Sequence, residues 1–416
     1  MLVADAIPTV NTAFFQPLTG LASASQHARP CPEFPDEHCL RLSVQRGLEL
    51  SESGRAFLQE HGGRCANPPR HANDFAALQS QRRRAVLRDV HRAQIAAANP
   101  TLPDRLAEIP ALAGYEGFAT DGPWHKAATQ DARHEGRTMA AGHFYSLNRR
   151  THTLRHLAAG AGLHAQDRSA LQRVTPRRLR QDVPQGRRGL LIPDTAGMDF
   201  NDWKRGRQAR AVYCLSRVKE NMVYAWSSSH LWDRGDKRNH GVTDDRRIVT
   251  REGPRLRMLC YTDPVSGERC ELLTNVMALP PGVLGEWSRR RWEAEKGFDP
   301  IKNKLGEQQA WATGRVAKES QALLIAITHH LLVSYEQALE RQPGVTNRAE
   351  DRRRAKRVAA AEQACVKQGT PLSSLVLQAR RATQRSVKFI RWLRQSLRDN
   401  AAETVAVLRL KAFYAT

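Results

Sequence analysis

Between Ala113 and Asn221 the chain alternates short apolar runs with helical patterns, and this alternation restricts the fold more than any other feature. AGYEGFATDG closes an aromatic-containing run at Asp121-Gly122, a natural strand end. TMAAGHFYSL (138–147) and RTHTLRHL (150–157) read as two strands of a hairpin turning at Asn148-Arg149. A helical stretch is expected around 167–180. RRGLLIPD reads as a short buried-type strand ending at Asp194, MDFNDWKRGRQ as a helix and RAVYCLSRVKEN as another strand. Strand, hairpin, helix, strand, helix, strand is the order of an α/β layer architecture. Polar groups at strand ends beside a crossover are where such sheets place sites.

The flanking segments read differently. Residues 1–30 show little pattern and are expected to be poorly ordered. From about 40 to 98 the signal is helical, and LQSQRRRAVLRDVHRAQIAAA (78–98) carries basic residues between apolar ones. Pro100, Pro103 and Pro110 break that pattern. Between Met222 and Leu279, MVYAWSSS, RRIVT, LRMLCYTD and CELLTNVM are strand-like and separated by turn signals. Residues 315–340 form a strong helical pattern, 348–357 are basic and exposed in type, and 371–415 are again helical and basic. The organisation expected is a helical region over 1–110, a core segment over 111–221, a β-rich insertion over 222–282, closing helices over 283–340 and a basic helical region over 341–416.

The chain of 416 residues holds 65 Lys and Arg against 42 acids, a net charge of +23. An acidic polymer is the obvious partner, and nucleic acid is the leading one. A membrane is not expected, because no run of about 18 apolar residues exists to span a bilayer. Seven scattered cysteines, an odd number, fit a reducing compartment with free thiols. Cys31, Cys39 and Cys65 with His38 and His61 match no zinc spacing.

WSRRRWEAEKGFDPIKNKLGEQQAW, from Trp287 to Trp311, carries Arg291 and Glu295 four apart and Lys302 seven later. On a helix these share one face with Ser288, while Trp287, Phe298, Ile301 and Leu305 adjoin it. Alone, Arg291 and Glu295 are an ordinary surface ion pair contributing about 0.3–0.5 kcal/mol. Taken with Asp121 and Asp194, Glu295 completes three carboxylates that lack Cys or His partners. Such a set suits Mg2+ or Mn2+. Two ions about 3.5–4 Å apart activate a water and stabilise the leaving oxygen in phosphodiester cleavage. Asp131 competes for the first place and Asp199 or Asp202 for the second, and residue type alone does not separate them.

The combination resembles the insertion-sequence DDE transposases of bacteria, in the subgroup with a β-insertion and a Tyr-x2-Arg-x3-Glu-x6-Lys signature. Arg291, Glu295 and Lys302 match its spacing, and Trp292 and Phe298 its aromatic places. FATDG, the FYSLN-RTHTLRHL hairpin, VKENM, LLTN before PPG, and KNKLGEQQAWA are also typical of it. Ser288 stands where the signature has Tyr, and Pro300 is a second departure. The resemblance implies an RNase H-like catalytic core interrupted by an antiparallel β-insertion. It implies Asp121, Asp194 and Glu295 as catalytic metal ligands for Mg2+ or Mn2+, with Arg291, Lys302 and Ser288 on phosphates. Trp226 and Trp232 are its candidates for stacking an unpaired base, and Arg217 and Lys219 for contacting backbone. The partners implied are the element's terminal inverted repeats and target DNA, in a homodimeric synaptic complex. The location implied is the bacterial cytoplasm, at the nucleoid. The alternatives are a catalytically impaired DNA-binding derivative and a nuclease of the same fold without strand transfer.

Overall fold

The computed structural model describes residues 8–49, 53–62, 69–98, 101–107, 109–122, 124–125, 128, 133–134, 137–138, 141–161, 174–193, 199–219, 222–250, 254–290, 298, 305, 309–369, 373–380 and 387–415. The chain opens with helices α1 (Val10–Phe15), α2 (Asp36–Leu48), α3 (Gly54–Gly62), α4 (His71–Gln79) and α5 (Gln81–Ala98). Strands β1 (Tyr115–Asp121), β2 (Trp124–His125), β3 (Arg133–His134), β4 (Arg137–Thr138), β5 (Ala141–Asn148) and β6 (Leu154–Ala161) follow. Next come α6 (Pro176–Arg180), β7 (Arg188–Ile192), α7 (Phe200–Arg210) and β8 (Val212–Arg217). Four strands then run in succession: β9 (Tyr224–Ser229), β10 (Val242–Thr250), β11 (Arg255–Thr262) and β12 (Arg269–Thr274). Helices α8 (Pro281–Arg289), α9 (Arg315–Glu340), α10 (Arg348–Lys367), α11 (Ser374–Arg380), α12 (Val387–Arg398) and α13 (Glu403–Ala415) close the chain.

Ten strands make one mixed sheet in the order β2-β5-β1-β7-β8-β12-β11-β10-β9, with β6 on the outer side of β5. β1, β7 and β8 are parallel neighbours, and β5 and β6 run antiparallel. β12 pairs with both β8 and β11, so the four later strands extend the sheet. Alternation along β1 sorts the two faces. Tyr115, Gly117 and Ala119 meet α8 and the core around α9, whereas Phe118 packs with Leu191, Trp203 and Cys214 under α7. The result is an α/β fold with helices on both faces of the sheet.

Two expectations fail. Val10, Phe14, Phe15 and Leu18 have no exposed surface and lie in the main core, although the first thirty residues looked unordered. Thr9 bridges to Ala402, and the Val10 N–H donates to the Ala401 carbonyl at 2.9 Å, so the C-terminal helices hold this segment in place. The helix starting before Trp287 also stops early. It ends at Arg289 and Phe298 is again helical, while Leu305 lies at a bend and Gln309–Gly314 are not helical. Trp287 enters one core while Phe298 and Leu305 enter another, so the apolar stripe serves two surfaces.

β6 is an edge strand among the described residues, and histidines from two helices satisfy its backbone. The Leu154 N–H donates to His330 Nε2 at 3.0 Å, which requires His330 to accept there. The Leu154 carbonyl then takes the proton of His91 Nε2 at 2.9 Å, and His329 Nε2 meets the His152 carbonyl at 3.0 Å. Burial, then the neighbouring His330, holds the His91 pKa well below the usual histidine value of 6.5. The unfolded chain therefore binds a proton that the folded chain excludes, and stability rises with pH in that window. Unfolding in urea is expected to become easier as pH falls through 6.5, by up to about 1.4 kcal/mol per pH unit from this group. His91→Gln, which keeps a donor for Leu154, should flatten that slope.

Candidate functional site

The site predicted from sequence centres on the carboxyl ends of β1 and β7. Asp121 is the last residue of β1 and is half-buried. Its Oδ1 accepts the Gly122 N–H at 2.7 Å, and across the sheet it stands opposite Tyr145. Alternation puts Asp121 on the face of Gly117 and Ala119, the side covered by α8 and α9. In the parallel β1–β7 ladder, Ala119 is opposite Ile192.

The root of β1 is held by a buried polar network. Asn148 Nδ2 donates to Glu116 Oε1 and Arg187 Nη1 to Glu116 Oε2, both at 2.8 Å. Arg150 donates to the Leu112 and Tyr115 carbonyls at 2.5 and 2.9 Å and pairs with Asp104 at 2.5 Å. Arg150 sits just after β5, so the hairpin turn is fastened to the start of β1. That turn occupies 149–153, longer than the two residues expected, with His152 at φ 57°.

Helix α8 carries the chain onto β1. A Cβ added at Gly117 would lie 1.9 Å from Trp287 Cζ2, so only a glycine lets the indole lie on the strand. Gly282 and Gly285 allow similar closeness, to the Arg238 carbonyl and the Tyr261 ring. The Tyr261 hydroxyl donates to Glu286 Oε1 at 2.5 Å, and burial, then Glu286, pushes its pKa far up. Ser288, the next residue of α8 after Trp287, is 8% exposed.

Of the three carboxylates expected to act together, Asp121 is described. Asp194 and Glu295 lie outside the described residues, as do Arg291, Lys302 and the rival Asp131. The other rivals have structural work: Asp199 caps α7, accepting from the N–H groups of Asn201 and Asp202, and Asp202 pairs with Arg205. Among the described residues no group of three His, Cys, Asp or Glu could hold a metal ion.

The remaining candidates are dispersed. Arg217, at the end of β8, is exposed and 3.0 Å from Glu268. Lys219, two residues on, is half-buried. Trp226 on β9 is 54% exposed beside the exposed Tyr224, on the opposite edge of the sheet from β6. Trp232 is half-buried in a loop, with the Arg234 guanidinium 5.5 Å from its ring centre. Sequence reasoning missed the Gly117–Trp287 contact, although a glycine inside a strand signals close approach.

A family model described as "Transposase DDE domain" matches residues 134–331. The chain carries a region similar to that domain. The match covers slightly under half of the chain and spans β5 through most of α9. No curated protein matches. Among solved structures, the piggyBac transposase synaptic complex with hairpin DNA gives a TM-score of 0.31 at 10% identity, over 98% of this chain and 82% of that one.

Gly117→Ala is expected to destabilise the protein by at least about 1–3 kcal/mol, the usual cost of overpacking. Pairing it with Trp287→Phe, which removes the clashing Cζ2, should recover much of the loss. Denaturant unfolding of the two single variants and the double variant measures that coupling.

Proposed function

We propose that the chain is a transposase that cuts DNA at the ends of its element and joins them to target DNA by metal-dependent phosphoryl transfer. The observation that carries this reading is the parallel register of β1 and β7. Asp121 follows Ala119 by two residues, as Asp194 follows Ile192, and Ala119 and Ile192 are opposite each other. The match of 134–331 to the transposase DDE domain supports it independently. We read β6-β5-β1-β7-β8 as an RNase H-like core and β9–β12 as an insertion that continues its sheet.

On this reading Asp121, Asp194 and Glu295 hold Mg2+ or Mn2+. The described part of the site fits such an ion: a half-buried carboxylate at a strand end has acceptor sites for both a backbone N–H and a hard cation. Bound divalent ions supply activation of the attacking oxygen and stabilisation of the leaving one. Arg291 and Lys302 orient the phosphates, and Arg217 and Lys219 add sequence-neutral backbone contacts. Ser288, expected on a phosphate, is 8% exposed on α8 and has little surface to offer one. Trp226 offers an exposed ring for an unpaired base. The protein acts as a homodimer on DNA in the bacterial cytoplasm.

The test is cleavage, with Mg2+, of duplexes taken from the DNA bracketing the reading frame. Asp121→Asn, Asp194→Asn and Glu295→Gln should each lower cleavage and strand transfer about a thousandfold while leaving the circular dichroism spectrum unchanged. Cleavage by Asp121→Asn at the wild-type rate would sink the reading. Cleavage without joined products would favour the nuclease alternative. Trp226→Ala should leave stability unchanged and weaken binding to DNA with unpaired bases by about 1–3 kcal/mol, measured against a fully paired control.

A further inference from the structure

Six arginines from four elements gather around the outer edge of β6. Arg84, Arg88 and Arg92 stand four residues apart on α5, on one face that rises about 6 Å per step. Arg315 opens α9, Arg155 comes from β6 and Arg178 from α6. One buried carboxylate, Glu319, receives three of them: Arg84 at 2.6 Å, Arg315 at 2.8 Å and Arg88 at 3.1 Å. Asp182 pairs with Arg155, and Asp89 lies 3.5 Å from Arg92. Arg178 donates to the His156 carbonyl at 3.1 Å and pairs with no carboxylate among the described residues. Among the described residues, six cations thus meet three anions.

Such a surplus is not how a stabilising ion-pair network is built. Burial, then Arg84, lowers the Arg88 pKa, with Arg92 and Arg315 adding to it. Burial, then Arg88 and Arg155, does the same to Arg178. These guanidiniums repel one another, and an anion seated among them relieves the repulsion. From Arg84 to Arg92 the row covers about 12 Å of helix, too long for one phosphate and suited to a polyanion. The location also fits DNA work. Arg155 adjoins His156, which is opposite Tyr145, which is opposite Asp121, two strand spacings or about 10 Å away.

We propose that the arginine cluster around Glu319 is a track for the phosphodiester backbone of duplex DNA, read without regard to sequence. The identity of the polyanion rests on the transposase reading. The geometry of the track does not, and it draws on α5, outside the region matched by the transposase domain.

The test uses the full chain and duplexes of unrelated sequence, with binding followed by fluorescence anisotropy from low to high NaCl. Arg88→Ala with Arg92→Ala leaves Glu319 paired to Arg84 and Arg315. It should lower the slope of log K against log salt by about 1.8, or about 0.9 for each lost phosphate contact, equally for every sequence. Arg88→Lys with Arg92→Lys should restore the slope. Arg178→Gln is the second variant, which removes no ion pair of Glu319, and should lower the slope by about 0.9. Slopes unchanged in both variants, with wild-type binding intact, would overturn the track and leave the transposase reading standing. A wild-type protein that binds no duplex at low salt would overturn both. Inorganic phosphate competing as well as DNA at equal phosphate concentration would also overturn the track, by pointing to a single-anion pocket.

Discussion

The structure depends on keeping α9 dry. From Glu319 to Val333 every residue of this helix is buried, and the polar ones cannot rely on water. Each has a designated neighbour. Thr328 Oγ1 donates to the Leu324 carbonyl at 2.8 Å within its own helix. Gln321 accepts the Trp311 N–H at 2.8 Å and donates to the Gln309 carbonyl at 3.0 Å. His329 and His330 meet the edge of β6, Glu319 meets α5, and the Tyr335 hydroxyl reaches Glu403 on α13. A buried polar group left without a partner costs about 1–3 kcal/mol, so these contacts fix where each surrounding element must sit. Apolar burial drives the assembly, and the polar set gives it one register.

A second constraint ties the later strands to the candidate site. Arg257 and Asp245 form a buried pair at 2.6 Å, and Arg257 also donates to the carbonyls of Met277 and Leu279 at 3.3 and 2.7 Å. Breaking such a pair by removing one partner typically costs about 3–5 kcal/mol. The arginine therefore fastens β10 and β11 to the segment that leads into α8. From there Tyr261 holds Glu286, and Trp287 lies on Gly117. The path from the outer strands to β1 is a run of close contacts, with little slack for α8 to shift independently.

Much of the sheet was legible because its strands carry their own local signals. The runs around β1, β5, β7 and β8, the four later strands and the bounds of α9 all follow from apolar pattern and turn residues. What was hidden needs a partner to be seen. Val10, Phe14, Phe15 and Leu18 belong to a six-residue helix and a turn interrupted by Pro17, too short to signal or to be stable alone. The Ala401 carbonyl and the core around α9 give them their place. Arg84, Arg88 and Arg92 look like a solvated basic face, and the carboxylate that gathers two of them is more than 230 residues away. For the candidate site, strand ends are legible in the sequence and tertiary contacts are not. The end of β1 at Asp121 follows from its Asp-Gly, whereas the Trp287–Gly117 fit that brings α8 onto β1 depends on tertiary closeness.

On the transposase reading, the sheet also sets the scale on which the protein would meet DNA. From β1 to β9 there are six strand spacings, about 29 Å measured along the sheet. One turn of duplex is about 34–36 Å. On the transposase reading, Asp121 and Trp226 of one chain therefore address points nearly a helical turn apart, while Asp121 and the β6 edge lie within two strands of each other. Backbone held at the arginine edge is close to the carboxylate that cuts, and a base stacked on β9 is remote from it.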